Sequence, residues 1–277
     1  MISKIPLDEW VEFVVDKLEM NLGILFQFIS TCIEGSVNAL SFVFHGVPVL
    51  LFIGLVSVLA FYLGRWSFTL FSGLGLLLIY NLGFWSHTMD TLALVLTSAL
   101  ISIVIGIPIG VWCAQNDKFR NLATPLLDFM QTMPAFVYLI PAVTFFGLGV
   151  VPGVIASVIF AVPPTIRLTN LGIRQVAEDL VEAADAFGST PSQKLFKLQF
   201  PLALPSIMAG MNQTIMLSLS MVVIASMIGA QGIGADVYRA VTQIKTGQGF
   251  EAGLSIVVLA ILLDRMTQYI LKRKRSV

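Results

Sequence analysis

Long apolar runs, interrupted by short polar clusters, set the rhythm of this chain. They predict membrane spans over 47–63, 67–84, 88–114, 121–147, 151–176, 201–229 and 250–271, most of them near or above the roughly 20 residues that cross bilayer hydrocarbon. Only Gly64, Arg65 and Trp66 separate the first two, which form either two spans or one helical hairpin. Trp66, Trp85 and Trp112 fall near predicted ends, where indole rings favour the headgroup region. The expected fold is all-α: a polytopic membrane protein of about seven transmembrane helices.

The N-terminal arm has a different pattern. Over 7–19, Leu7, Trp10, Val11, Val14 and Leu18 share one helical face, and Asp8, Glu9, Glu12, Asp16 and Glu19 cover the rest. Over 22–44, Gln27, Ser30, Thr31, Glu34, Asn38 and Ser41 recur at helical spacing. Such stripes predict two amphipathic helices lying along the membrane surface. The alternative is an additional span with Glu34 buried. The chain then divides into an interfacial arm (1–45), a transmembrane domain (46–271) and a short basic tail (272–277).

Composition and charge add orientation. Charged residues make up only 12% of the chain, against about 25% in soluble domains. Lys272-Arg273-Lys274-Arg275 follows the last span directly and belongs on the cytoplasmic side. Counting back through seven spans leaves only Lys4, Lys17, Arg239 and Lys245 outside, out of 16 lysines and arginines. The arm, with six carboxylates and two lysines, also falls outside. The first 20 residues lack a basic stretch followed by an apolar core, so no cleavable signal peptide is expected. Net charge is zero and no basic stripe interleaves with aromatics, which gives nucleic-acid binding no support. Cys32 and Cys113 stand apart in apolar surroundings, as packing residues do, and His45 and His87 fall at outer boundaries; no metal site is expected.

The most polar interruption lies between Arg174 and Pro201. "EDLVEAADAF" (178–187) crowds four carboxylates into a short helix, and Gly188 stands where a left-handed C-terminal cap favours a residue without Cβ. Thr190 can cap a second short helix, with Pro191 at its first position and Gln193 closing a capping box. Pro201 then opens the next span. On these grounds alone, a tidy solvated loop and a docking surface fit equally well.

The pattern Glu182-Ala183-Ala184, three residues, Gly188, nine residues, Leu198-Gln199-Phe200-Pro201 resembles the EAA loop of ABC-importer permeases. "PLLDFMQTMPAFVYLIPAVTFFGLG" (125–149) and the block over 229–268 look like the glycine betaine/proline branch of that family, which imports quaternary-amine compatible solutes. The likeness covers about residues 47–271. It implies type I importer architecture, with a cytoplasmic coupling loop over 178–200 that docks on a separate ATPase. It also implies an external solute-binding protein and a permease homodimer. The chain has no GxxxxGK[ST] phosphate loop, so it is expected to be a transport subunit and not an enzyme. It should bind no cofactor itself, with ATP and Mg held by the partner ATPase.

The resemblance makes Glu182, Ala183, Ala184, Gly188 and Pro201 the coupling candidates. Within the spans, polar side chains are costly and face neighbours or a water-filled path. Asp128 and Arg167 are candidates for an inner gate, or for a static structural pair. Gln131, Phe136, Tyr138 and Asn212 are candidates for the substrate path. There Phe136 and Tyr138 would meet a trimethylammonium group by cation–π attraction, unless they serve only in packing. Asp264 and Arg265 are expected to anchor at the inner interface. Asp236, Arg239 and Lys245 are either contacts for the binding protein or ordinary loop charges. A stand-alone secondary transporter is the competing function, although ion coupling in such carriers relies on mid-membrane charges, and these are scarce here.

Overall fold

The computed structural model describes residues 6–275, and all regular structure among them is helical. α1 (Leu7–Gly46) precedes α2 (Val49–Asn81), α3 (Trp85–Gln115) and α4 (Asp117–Thr132). A 3-10 turn (Ala135–Tyr138) leads into α5 (Leu139–Phe146) and α6 (Val150–Arg174). Next come α7 (Glu178–Ala186), α8 (Pro191–Gln193), a π-helical segment (Lys194–Gln199) and α9 (Phe200–Ser220). α10 (Val222–Ser226), α11 (Ile233–Thr242) and α12 (Thr246–Arg275) complete the chain.

The centre is the packing of α3, α6 and α9. Small residues allow it. A Cβ at Gly110 would lie 2.6 Å from Thr169 Cβ and 2.7 Å from the Ile166 carbonyl, and one at Gly172 would lie 2.7 Å from Ser206 Cβ. In hydrocarbon, where apolar burial gives helices little reason to associate, such close approach is a main source of cohesion. Thr165 and Thr214 bond each other at 2.7 Å, and Thr214 also donates to the Ala161 carbonyl at 2.8 Å. These bonds satisfy hydroxyls that bury completely between α6 and α9.

Among the described residues, five helices are long and apolar enough to cross a membrane, or six if one bent pair counts as a single span. The difference from seven has local causes. The predicted spans 47–63 and 67–84 are the two arms of α2, Val49–Gly64 and Trp66–Asn81, each shorter than the usual crossing length. Ser57 Oγ lies 3.3 Å from the Cβ position of Gly73, and Phe52 and Tyr80 both pack on Trp85. The chain therefore folds back at 64–66, the hairpin alternative. The predicted span 121–147 breaks into α4 and the 135–146 segment, bent by 106°. Pro134 explains the break: it lacks an N–H and disfavours helical geometry in the residue before it, and Met133 is extended at φ −66°, ψ 135°.

The N-terminal expectation of two helices is corrected to one of 40 residues. No breaker separates the halves, and Asn21 donates to the Lys17 carbonyl at 2.7 Å from within the helix. Length and composition admit α1 among the candidate spans. Its contacts fall at one end of the bundle, opposite α7. Phe26 packs on Phe145 and Phe146, while Ser41 and His45 bond Asp90 near the start of α3. Glu34 is exposed. Pro201 does not open a span either. The helix begins at Pro191 and continues through the π-helical segment to Ser220. There the Phe200 N–H bonds back to the Leu195 carbonyl, a wider register immediately before a residue that cannot donate.

Candidate functional site: the α7 elbow and the broken helix

α7 stands out from the bundle with none of its side chains buried. Glu178 and Asp179 occupy its first turn, where carboxylates oppose the helix dipole. Its last turn closes in a Schellman motif: the Gly188 N–H donates to the Asp185 carbonyl at 2.9 Å and the Ser189 N–H to the Ala184 carbonyl at 3.0 Å. Gly188 has φ +76°, in the left-handed region where a Cβ is disfavoured. The Thr190–Gln193 capping box is complete, with bonds of 3.0 and 3.3 Å. Lys194 Nζ reaches both Asp185 oxygens at 2.8 Å and draws the two helices of the elbow together.

The elbow presents a mixed surface. Glu182 and Ala183 are exposed, Ala184 is half-buried and Gly188 and Pro201 are exposed. Glu182 makes no hydrogen bond or ion pair among the described residues. Phe187 is 91% exposed at the tip, with Phe196 and Leu180 also uncovered. The uncovered surface of the elbow thus combines small residues, carboxylates and an aromatic ring.

Arg167 on α6 donates to Asp128 Oδ1 at 2.6 Å and to Gln131 Oε1 at 2.7 Å, both on α4. The expected Asp128–Arg167 pair therefore exists, with Gln131 as a third member. It borders a cavity of about 360 Å³ lined in part by Arg120, Thr124 and Asn170. A second arginine on α6, Arg174, donates to Asp117 Oδ1 at 2.7 Å, to the Cys113 carbonyl at 3.0 Å and to Asn170 Oδ1 at 3.0 Å. Sequence reasoning marked Arg174 only as a boundary. Its spacing of seven residues from Arg167, two helical turns on one face, was the available signal.

The substrate-path candidates are not gathered together. Tyr138 is buried, and its hydroxyl donates to the Met130 carbonyl. Asn212 donates to Asp264 Oδ1 at 2.8 Å, and Gln131 serves Arg167. Only Phe136, 54% exposed, projects from the subunit. Asp264, expected to anchor at the interface, instead faces Asn212 and Gln268 between α9 and α12. At the opposite end, Asp236 is almost fully covered and bonds His87, with Arg239 3.6 Å away. Ile233 N–H donates to Thr91 Oγ1 at 2.9 Å. The block after α10 is thus pinned to α3, with the Asp236 carboxylate engaged by His87 and Arg239. Among the described residues, no three His, Cys, Asp or Glu side chains are grouped to hold a metal.

Residues 106–276 match the model of the family described as binding-protein-dependent transport system inner membrane component. The chain belongs to this family. The permease is 56% identical to the glycine betaine/carnitine transport permease protein GbuB of Listeria monocytogenes, over 99% of both chains. It is 53% identical to the glycine betaine transport system permease protein OpuAB of Bacillus subtilis, over 99% and 98%. Identity to the glycine betaine/proline betaine permease ProW of Escherichia coli is 46%, over 98% of this permease and 77% of ProW. A solved inward-facing structure of the MetNI methionine ABC transporter shares the fold, with a TM-score of 0.61 and 22% identity over 66% of the permease and 92% of that chain. The α7 elbow lies inside the family match, as do α4, α6 and the arginines that join them.

Proposed function

We propose that this permease is the membrane-spanning subunit of an ATP-driven importer for glycine betaine and related quaternary-amine osmolytes. A separate cytoplasmic ATPase, which holds ATP and Mg, docks on 178–200. An external solute-binding protein delivers the substrate at the α1 end, and two permeases form one path. The C-terminal tail and the α7 elbow face the cytoplasm, and the N-terminus lies outside. The observation that carries this reading is the elbow, a short helix closed at its C-terminus by Gly188 and with no fully buried side chain, in a protein otherwise built for lipid. The substrate class rests on full-length identity to permeases named for glycine betaine.

In this reading Glu182, Ala183, Ala184 and Gly188 form the ATPase contact, and Pro201 marks the entry of the transmitted motion into α9. The Asp128–Arg167–Gln131 cluster is the inner gate. Phe136 is the one path candidate free to meet substrate. The test is to purify the tagged permease gently from native membranes and identify what accompanies it, beside Gly188→Val and Glu182→Lys. An ATPase that accompanies wild type and is depleted in the variants supports the reading. A permease that imports substrate alone in vesicles is a secondary carrier and overturns it.

A further inference from the structure

α7 buries none of its side chains in the bundle, so its displacement passes through its two ends. One route runs through Gly188 and the Lys194–Asp185 pair into α9. The other crosses Gln175, Val176 and Ala177 to the last turn of α6, where Arg174 stands. Among the described residues, Arg174 is the one side chain bonded to both α3 and α4. The α3–α4 corner that it grips has contacts of its own. Asn116 Oδ1 accepts from the Phe119 N–H at 3.0 Å, and the rings of Trp112 and Phe119 stack at 3.7 Å.

α4 is therefore tied to α6 by polar side chains at two points, Asp117 by Arg174 and Asp128 with Gln131 by Arg167, with Leu127 between them in one apolar cluster with Val162 and Ile166. The cavity lies between these points, so the helices are joined at both ends of a hollow. The outer hold lies within two turns of the bend at Met133–Pro134. We propose that Arg174 is a positioning residue that carries α7 displacement to the α3–α4 corner. It acts as the pivot about which α4 rocks and opens the Asp128–Arg167–Gln131 contact. A planar guanidinium can hold a carboxylate, a carbonyl and an amide oxygen in fixed directions at once, which an ammonium cannot do. The inference rests on the coupling-loop reading above.

The test uses the complete transporter in vesicles, with three readouts: substrate imported per ATP hydrolysed, substrate-stimulated ATPase rate, and ATPase subunit retained on purification. Arg174→Ala is expected to lower import per ATP by roughly two- to thirtyfold, the range of a disrupted coupling contact, with the ATPase still retained. Arg174→Lys should lower it less. Exchanging the charges (Asp117→Arg with Arg174→Asp) should recover part of the loss, since it restores the α4 link and not the Cys113 link. A purely structural role would reduce the amount of assembled complex and scale import and hydrolysis together. An unchanged ratio in Arg174→Ala, or in Arg174→Lys if the alanine variant does not assemble, overturns the proposal. Gly188→Val run alongside separates the two ideas: if it keeps its ATPase, the docking reading fails, whatever the ratio in Arg174→Ala.

Discussion

Replacing Gly188 isolates a single physical cost. The residue sits at φ +76°, and a Cβ built there meets no atom within 4 Å. Neighbours therefore add nothing, and only the backbone conformation is penalised. For an L-residue that penalty is about 1–2 kcal/mol, greatest for a β-branched side chain and least for asparagine. α7 has nine residues and no buried side chain, and an isolated helix this short is marginal in water. Its order depends on its caps, so about 1–2 kcal/mol multiplies the open population of the elbow roughly five- to thirtyfold. Hydrogen exchange on peptides covering 178–190 reads this directly. Protection should fall in the order glycine, asparagine, alanine, valine, and import should follow the same order. Equal protection in wild type and Gly188→Val, or asparagine as damaging as valine, would refute the reasoning.

Other sites separate packing from electrostatics. Gly110→Ala sets a Cβ against the Ile166 carbonyl at 2.7 Å, a backbone atom that cannot rotate away. Overpacking of this kind costs about 1–3 kcal/mol, so the thermal midpoint of the purified permease should drop, whereas Gly23→Ala, with open space around it inside α1, should hold or raise it, because alanine favours a helix interior over glycine by about 1 kcal/mol. Asp128→Asn should hardly alter the midpoint, because the pair is half-exposed and such pairs contribute about 0–1 kcal/mol. If the pair is the gate, import changes in that variant without a change in stability. Thr190→Ala removes the cap of α8 and should cost about 1 kcal/mol locally, seen as faster exchange over 190–194. Asn212→Leu leaves Asp264 with only Gln268 among its described partners. The midpoint should fall by more than for Gln213→Leu, an exposed neighbour whose loss strands no charge.

Features set by short-range chemistry were legible in the sequence. Thr190 and Gln193 cap each other three residues apart, and Gly188 ends α7 for want of a Cβ. The break at Pro134 was not legible, because Pro108, Pro163 and Pro205 lie inside helices that continue past them. The Asp128–Arg167 pair was accessible because two charges in neighbouring spans have few other partners. Long-range pairings were not legible. Asp264 resembles an interfacial anchor until α9 brings Asn212 beside it, and Tyr138 resembles a pocket aromatic until the 106° bend turns its hydroxyl toward Met130. α1 read as two helices because its polar stripe changes character near Met20, while the backbone hydrogen bonds continue through. In α2, composition alone could not decide between two spans and a hairpin, because Gly64, Arg65 and Trp66 fit either.

The hairpin has a consequence for the membrane itself. Each arm of α2, at 1.5 Å per residue, reaches about 24 Å, whereas the hydrocarbon layer is about 30 Å thick. Short elements are accommodated when lipid thins around them, at a cost of fractions of a kcal/mol per Å of mismatch. With both arms inserted, the flank carrying α2 is expected to draw the two leaflets together locally. Bilayers of shorter acyl chains should relieve that deformation, so transport activity and thermal midpoint are expected to vary with the thickness of the surrounding lipid.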